Sequence, residues 1–250
     1  MAKMIVAGNW KMNASKETVA ALLKGLKQGA LAVKNAQLVV FPPFPYLAQT
    51  QIELADTRIA IGVQNICAAD NGAYTGEVSL AMAKEFGVSY VLVGHSERRA
   101  LYAEGDAQVA LKFMATQAMQ ITPILCVGET LEQREQGLTI SVVTGQIQAV
   151  IDAAGGASFA NAVVAYEPVW AIGTGLTASP AQAQQVHQAI RAHLERVAPE
   201  QAAGLKILYG GSVTASSAQE LFAQADIDGG LVGGASLQAD SFLAIGQAAK

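Results

Sequence analysis

A chain of 250 residues is long enough to bury one continuous core and matches the usual size of a single eight-unit α/β barrel. Charged residues make up 14% against 52% hydrophobic, below the roughly 25% charged content of an average soluble protein, so apolar surface must be hidden, for example in a subunit interface. The net charge of -4 offers no basic field for nucleic acid, and no stretch approaches the roughly 18 apolar residues of a membrane span.

After Met1-Ala2-Lys3 the first apolar run stops at Asn9, too short for the hydrophobic segment of a signal peptide, so a soluble, cytoplasmic protein is expected. That run, 5–7, opens a series of short β-rich runs continued at 38–41, 59–63, 90–93, 124–127, 163–166, 207–209 and 231–232. Several are unbroken Val/Ile/Leu without polar alternation, the pattern of a strand buried on both faces in a parallel sheet. Helices must cover such a sheet, and segments 16–31, 46–54, 79–86, 106–119, 141–153, 181–197, 218–222 and 241–249 supply them. Ser179-Pro180 reads as a cap followed by a first-turn proline. The longest stretch without regular structure begins at Gln64 and ends at Glu77 (64–77), and loops of that length inside compact domains are usually functional. Cys67 and Cys126 show neither metal-ligand nor disulfide spacing and suit a reducing cytosol. His187 and His193 stand six apart on a predicted helix, off the four-residue spacing of a helical zinc pair, and are expected to be solvated.

Eight βα units admit a closed barrel or an open doubly wound sheet, and periodicity alone does not choose. The placement of polar residues favours the barrel, as one domain spanning residues 1–250. Asn9 and Lys11, His95, Glu167, Gly210-Gly211-Ser212 and Gly233-Gly234 each follow a predicted strand's C-terminal end, the rim where barrel enzymes gather catalytic residues. Taken singly, Lys11 is as readily a surface lysine, His95 a hydrogen-bonded structural histidine, and Glu167 the end of a strand before Pro168. Taken together, a carboxylate, an imidazole and a cation on one rim imply proton abstraction beside a carbonyl. The bare backbone N–H groups of Gly173, Ser212, Gly233 and Gly234 imply a phosphate.

The segments Gly8-Asn9-Trp10-Lys11-Met12-Asn13, Val93-Gly94-His95-Ser96-Glu97-Arg98-Arg99, Ala165-Tyr166-Glu167-Pro168-Val169-Trp170 with Ala171-Ile172-Gly173-Thr174-Gly175, Tyr209-Gly210-Gly211-Ser212-Val213 and 230–237 are collinear across the whole chain. In these motifs the sequence resembles the triosephosphate isomerase family. The resemblance implies a (β/α)₈ barrel that interconverts dihydroxyacetone phosphate and D-glyceraldehyde 3-phosphate in glycolysis and gluconeogenesis. It implies Glu167 as the base that moves a proton between C1 and C2, His95 as a neutral electrophile, Lys11 and Asn9 as holders of the substrate oxygens, and Glu97 as the group that orients Lys11. No metal or organic cofactor follows from it. It also implies a homodimer through the loop 64–77, with Thr75 reaching toward the partner's site, and a loop over 168–178 that closes on the substrate. Leu176 departs from the lysine common in relatives and puts the speed of that closure in doubt; Ser179 replaces a common threonine. Two rivals remain: a sugar-phosphate aldolase barrel, for which no Schiff-base lysine or metal-ligand set stands out because Lys206 precedes the seventh strand, and a non-catalytic phosphate-binding barrel, against which Lys11, His95 and Glu167 all speak.

Overall fold

The computed structural model describes residues 3–172 and 177–250. Eight parallel strands close into a barrel in chain order: β1 (Met4–Asn9), β2 (Ala36–Phe41), β3 (Ala60–Val63), β4 (Val88–Val93), β5 (Thr122–Val127), β6 (Val163–Tyr166), β7 (Lys206–Tyr209) and β8 (Gly229–Val232). Closure is made by β8 pairing with β1, Ile5 opposite Gly229 and Gly8 opposite Val232. The open doubly wound alternative is thereby excluded. Every expected strand is present, most of them starting one or two residues early; Lys206 opens β7 instead of preceding it, at the end of the barrel opposite the polar rim.

Among the described residues the strands are covered by α1 (Lys16–Gly29), α2 (Leu47–Leu54), α3 (Leu80–Lys84), α4 (Ser96–Leu101), α5 (Asp106–Ala118), α6 (Leu131–Glu135), α7 (Thr139–Ala154), α8 (Pro180–Val197), α9 (Pro199–Ala202), α10 (Ala218–Phe222) and α11 (Ala239–Gln247). Periodicity does not reveal α4, α6 or α9, because helices of one or two turns are too short to show a 3.6-residue repeat. The first helix stops at Gly29 and tightens into a 3₁₀ turn at Ala30–Ala32, and α11 lies two residues N-terminal of its expected position. Ser179 caps α8 as the sequence predicts: its hydroxyl accepts the Gln182 N–H, the Gln182 side chain accepts the Ser179 N–H, and Pro180 opens the helix.

The unbroken apolar runs divide cleanly between two cores. Ile5, Ala7, Val39, Phe41, Leu92, Ile124, Val163, Ala165, Leu208 and Leu231 pack together inside the barrel. Their chain neighbours, such as Val6, Val40, Val93, Leu125, Val164 and Ile207, join the larger core beneath the helices. Alternation of side chains along a strand therefore persists, but both faces are dry, so the polar half of the usual pattern is missing.

His187 and His193 contradict the expectation that they are solvated, since both are buried. The buried face of α8 is Ala183, Val186, His187, Ile190, His193 and Leu194, an i, i+3, i+4, i+7 stripe that includes both histidines. The His187 ring lies 5.9 Å from that of Tyr166 and 6.3 Å from that of Tyr209, and its Nδ1 is 3.1 Å from the Asp226 carbonyl. His193 Nδ1 meets the Arg196 guanidinium at 2.9 Å. Reading histidine as a polar residue hides that its ring fills core space when one nitrogen finds a partner.

Closure places a strict demand on Gly229: its φ of 137° is left-handed, and a Cβ there would lie 1.9 Å from the Ile5 carbonyl oxygen. Gly229→Ala should therefore lose about 2–3 kcal/mol or more from strain alone and lower the thermal midpoint by at least about 5 °C, read by circular dichroism. An unchanged midpoint would mean that the seam does not need glycine.

Burial pushes the His187 imidazole down to about 4 from its ordinary 6.5. The unfolded chain thus binds a proton between those values that the folded chain refuses, so this contribution to stability is complete above pH 6.5 and fades as the pH falls toward 4. The loss should reach roughly 3 kcal/mol, and urea unfolding at fixed protein concentration from pH 7 to 4 should show a shallower pH slope for His187→Gln than for wild type. Equal slopes would show that His187 is not the group responsible.

Candidate active site

The phase of the strands delivers the rim residues. On β6, Val163 and Ala165 point inward, so Glu167 is the next inward position; on β1, Ile5 and Ala7 lead to Asn9; on β8, Leu231 leads to Gly233. On β4 the inward sequence runs from Leu92 to Gly94, whose φ of 71° turns the chain before His95. The result is a cavity of about 470 Å³ lined by Asn9, Lys11, His95 and Glu167 together with Ser212, Gly233 and Gly234. Gly173, Thr174, Gly175 and Leu176 lie outside the described residues.

Glu167 is 2% exposed, yet both carboxylate oxygens are satisfied. Oε1 accepts from His95 Nε2 at 2.9 Å, and Oε2 accepts the Ser96 backbone N–H at 2.9 Å. Burial alone would raise its pKa, but the His95 charge and hydrogen bond, the Ser96 amide and the Lys11 charge together hold it below the usual glutamate value. The carboxylate is therefore ionised at neutral pH.

His95 caps α4, and its Nδ1 accepts the Glu97 backbone N–H at 3.2 Å. An Nδ1 that accepts carries no proton, so the ring's single N–H is on Nε2, facing Glu167 and the cavity. Burial opposes charge on this ring, while the Glu167 carboxylate outweighs it and lifts the pKa above the ordinary value. The amide of the helix's first turn works against that lift, because a second proton on Nδ1 would face an N–H.

Lys11 holds a left-handed backbone, φ 53°, and its amide donates to Asn9 Oδ1 at 3.0 Å. Its ammonium donates to Glu97 Oε1 at 2.5 Å, and Glu97 Oε2 lies 3.7 Å from His95 Nδ1. Beside Lys11, a 3₁₀ turn opens at Gly234–Leu237, and a side chain on Gly233 would point at Lys11 Cε, 3.6 Å away. The absence of side chains there leaves two amides within reach of an anion beside a lysine, and Ser212 closes the same end.

Sequence reading misses three contributors. The Ser96 N–H that holds Glu167 is a backbone group with no signature. Gly128 is required because a Cβ there would lie 1.9 Å from the Glu167 carbonyl oxygen. Glu129 is fully buried beside it: Oε1 accepts the Tyr166 hydroxyl at 3.1 Å and Trp170 Nε1 at 2.9 Å and pairs with Arg134 at 3.3 Å. Its own carbonyl accepts the Val169 N–H, so Glu129 grips the chain on both sides of Glu167. A signal existed, since Glu129 stands just past the C-terminal end of β5, as the recognised residues stand past theirs.

The arrangement can draw a proton from a carbon acid with a dry carboxylate, polarise the adjacent oxygen with an N–H and a lysine, and hold an anion on backbone amides. A family model described as triosephosphate isomerase matches residues 4–249. A protein named triosephosphate isomerase from Thiobacillus denitrificans is 59% identical over 249 residues, covering 100% of this chain and 99% of that relative. Those from Alcanivorax borkumensis and Dechloromonas aromatica are each 56% identical, covering 98% of both chains and 100% of both chains respectively. With the family matched nearly end to end on a closed eight-stranded barrel, the chain belongs to the triosephosphate isomerase family and is an isomerase that interconverts dihydroxyacetone phosphate and D-glyceraldehyde 3-phosphate, a step of glycolysis.

Proposed function

We propose that the rim cavity is the active site of this isomerisation, with Glu167 as the base. The observation that supports it most directly is the buried Glu167 carboxylate 2.9 Å from His95 Nε2, in a cavity that Lys11 and Asn9 also line. The phosphate of dihydroxyacetone phosphate sits on the amides of Ser212, Gly233 and Gly234, joined by Gly173. Its carbonyl and hydroxyl oxygens turn to His95 Nε2, Lys11 and Asn9. As the substrate takes the Nε2 proton's hydrogen bond, Glu167 loses the partner that depressed its pKa and becomes a stronger base at the moment it is needed. It removes a proton from C1, giving an enediolate whose charge is shared by the Nε2 N–H and the Lys11 ammonium. Protons are exchanged between the two oxygens through His95, and Glu167 returns its proton to C2. No atom is gained or lost. Neutral His95 suits this role because its pKa as a donor lies closer to that of an enediolate oxygen than an imidazolium's would. Glu97, gripping the Lys11 ammonium, sets where that charge stands.

The same reading takes residues 1–250 as one domain and the working unit as a homodimer in the reducing cytoplasm, where two free thiols, Cys67 and Cys126, belong. No described helix is long and apolar enough to cross a membrane, and the charge of -4 favours no nucleic acid. Support for the dimer comes from the surface beside Lys11. Met12, Leu101 and Tyr102 are more than half exposed and line a second cavity of about 530 Å³ that Lys11 shares, and Tyr74 on the 64–77 loop and Leu111, also more than half exposed, line the neighbouring cavity with Tyr102. The partner's 64–77 loop, with Thr75 at its tip, fills the cavity that Lys11 shares.

Shortening the base tests the assignment of Glu167. Glu167→Asp withdraws the carboxylate by roughly 1 Å and should lower kcat about a hundredfold with KM little changed. Near-native turnover in both Glu167→Asp and Glu167→Gln, measured in a coupled isomerase assay, rules it out.

Assembly is tested separately by Ala73→Asp, which puts a charge on an exposed loop position. Monomers should appear by light scattering and specific activity should fall with the dimer fraction. A fully active monomer would sever the link between assembly and site.

A further inference from the structure

Lys11 has a left-handed backbone, φ 53°, a conformation that a non-glycine residue keeps only where its surroundings over-determine it. On the N-terminal side the restraint is Asn9 Oδ1, which accepts the Lys11 N–H. On the C-terminal side it is Gln64: one carboxamide nitrogen donates at 2.9 Å to the Lys11 carbonyl and at 2.9 Å to the Phe41 carbonyl. The Phe41 carbonyl also accepts the Trp10 N–H at 3.2 Å, so the amide clamps the 10–11 turn to the end of β2.

Gln64 stands directly past β3, at the root of the 64–77 loop, and the root itself is anchored. The next residue, Asn65, accepts from the Lys112 ammonium at 2.7 Å; Lys112 also pairs at 3.0 Å with Glu104, a buried carboxylate whose other oxygen accepts from Arg98 Nε at 2.6 Å. Arg98 follows Glu97, the partner of the Lys11 ammonium. Backbone and ammonium of Lys11 are thus held by two ends of one chain of contacts, through Gln64 and through Glu97.

We infer that Gln64 is a positioning residue for the reaction: its two hydrogen bonds hold the left-handed Lys11 backbone, and through it the ammonium, in register with the cavity. It thereby links the root of the 64–77 loop to the site. The inference rests on the reading of Lys11 as a substrate-binding group. Apart from asparagine, one methylene shorter, no side chain supplies two N–H donors on one nitrogen without charge; glutamate would turn an acceptor toward two carbonyls, and leucine would leave both carbonyls without this donor.

The test is a double-mutant cycle on the purified dimer, with kcat/KM from the isomerase assay and with light scattering and thermal midpoint recorded for each variant. Gln64→Leu should lower kcat/KM by about 10- to 100-fold in the presence of Lys11, the range expected when a reacting group moves by roughly 1 Å. In the Lys11→Ala background the same substitution should change kcat/KM by less than about twofold, because the group it positions is gone. An equal further loss in both backgrounds would show general structural damage and overturn the inference, as would near-native activity of Gln64→Leu. If Gln64→Leu does not fold, Gln64→Asn, too short to reach both carbonyls, is put through the same cycle and judged by the same outcomes. Near-native activity of Lys11→Ala alone would overturn the assigned role of Lys11 itself, an outcome distinct from failure of Gln64.

Discussion

The seam between β8 and β1 is the constraint on which the other features hang. A sheet of parallel strands becomes a barrel only when its last strand can approach its first, and here the approach is so close that Gly229 leaves no room for a methyl group against the Ile5 carbonyl. That seam sets Asn9 and Lys11, at the end of β1, beside Gly233 and Gly234, at the end of β8. An ammonium and two bare amides then share one wall of the cavity although more than 200 residues separate them in the chain. Opened into a flat sheet, the same strands would leave the lysine and the anion-binding turn on opposite edges.

Burying carboxylates is costly, and the barrel does so three times around this site, by different means. Glu104 is neutralised by Lys112 and Arg98. Glu129 takes neutral donors from Tyr166 and Trp170 with Arg134 at its edge, and the burial of Tyr166, followed by the Glu129 charge, pushes the phenol above its ordinary range. Glu167 alone is satisfied by donors that can be exchanged for others, a histidine N–H and one backbone amide. The first two carboxylates are locked, and the third is held ready, which is a physical distinction between framework and base that residue type does not convey.

The site also shows how much of its precision is carried by backbone. The His95 tautomer is set by an amide in the first turn of α4, the Glu167 orientation by the neighbouring amide, and Lys11 by a side-chain amide grasping its carbonyl. The two amides belong to the first turn of α4 and Gln64 stands directly past β3, so the functional side chains are placed by groups set at strand and helix ends of the barrel. Lys11 is the exception in that its conformation is intrinsically unfavourable, and the dense set of contacts around residues 9–13, including Asn13 Nδ2 on the Trp10 carbonyl at 2.8 Å, is the compensation.

From the amino-acid sequence alone, the eight strands, the larger helices, the parallel character of the sheet and the five rim segments are all legible, because they depend on local properties: apolar runs, a 3.6-residue repeat, capping residues such as Ser179, and glycines after strands. The same local signals place Asn9, Lys11, His95, Glu167, Ser212, Gly233 and Gly234 past strand ends, and the structure brings all seven around one cavity. Local signals fail where a residue's environment comes from distant parts of the chain. His187 and His193 read as polar, yet the packing of α8 on the barrel puts both in its dry stripe. A short helix such as α4 has too few turns to show a repeat, and its start is marked by His95 as a cap. Gln64 and Glu129 carry no motif, and Ser96 acts through its backbone N–H, which its place in a motif does not reveal; Gln64 meets Lys11 across 53 positions, Ser96 meets Glu167 across 71, and Glu129 meets Trp170 across 41. Composition and periodicity are sums over neighbours in sequence, so they determined the elements and the rim, whereas hydrogen bonds closed over such separations exist only once the barrel has shut, and only the tertiary structure could decide them.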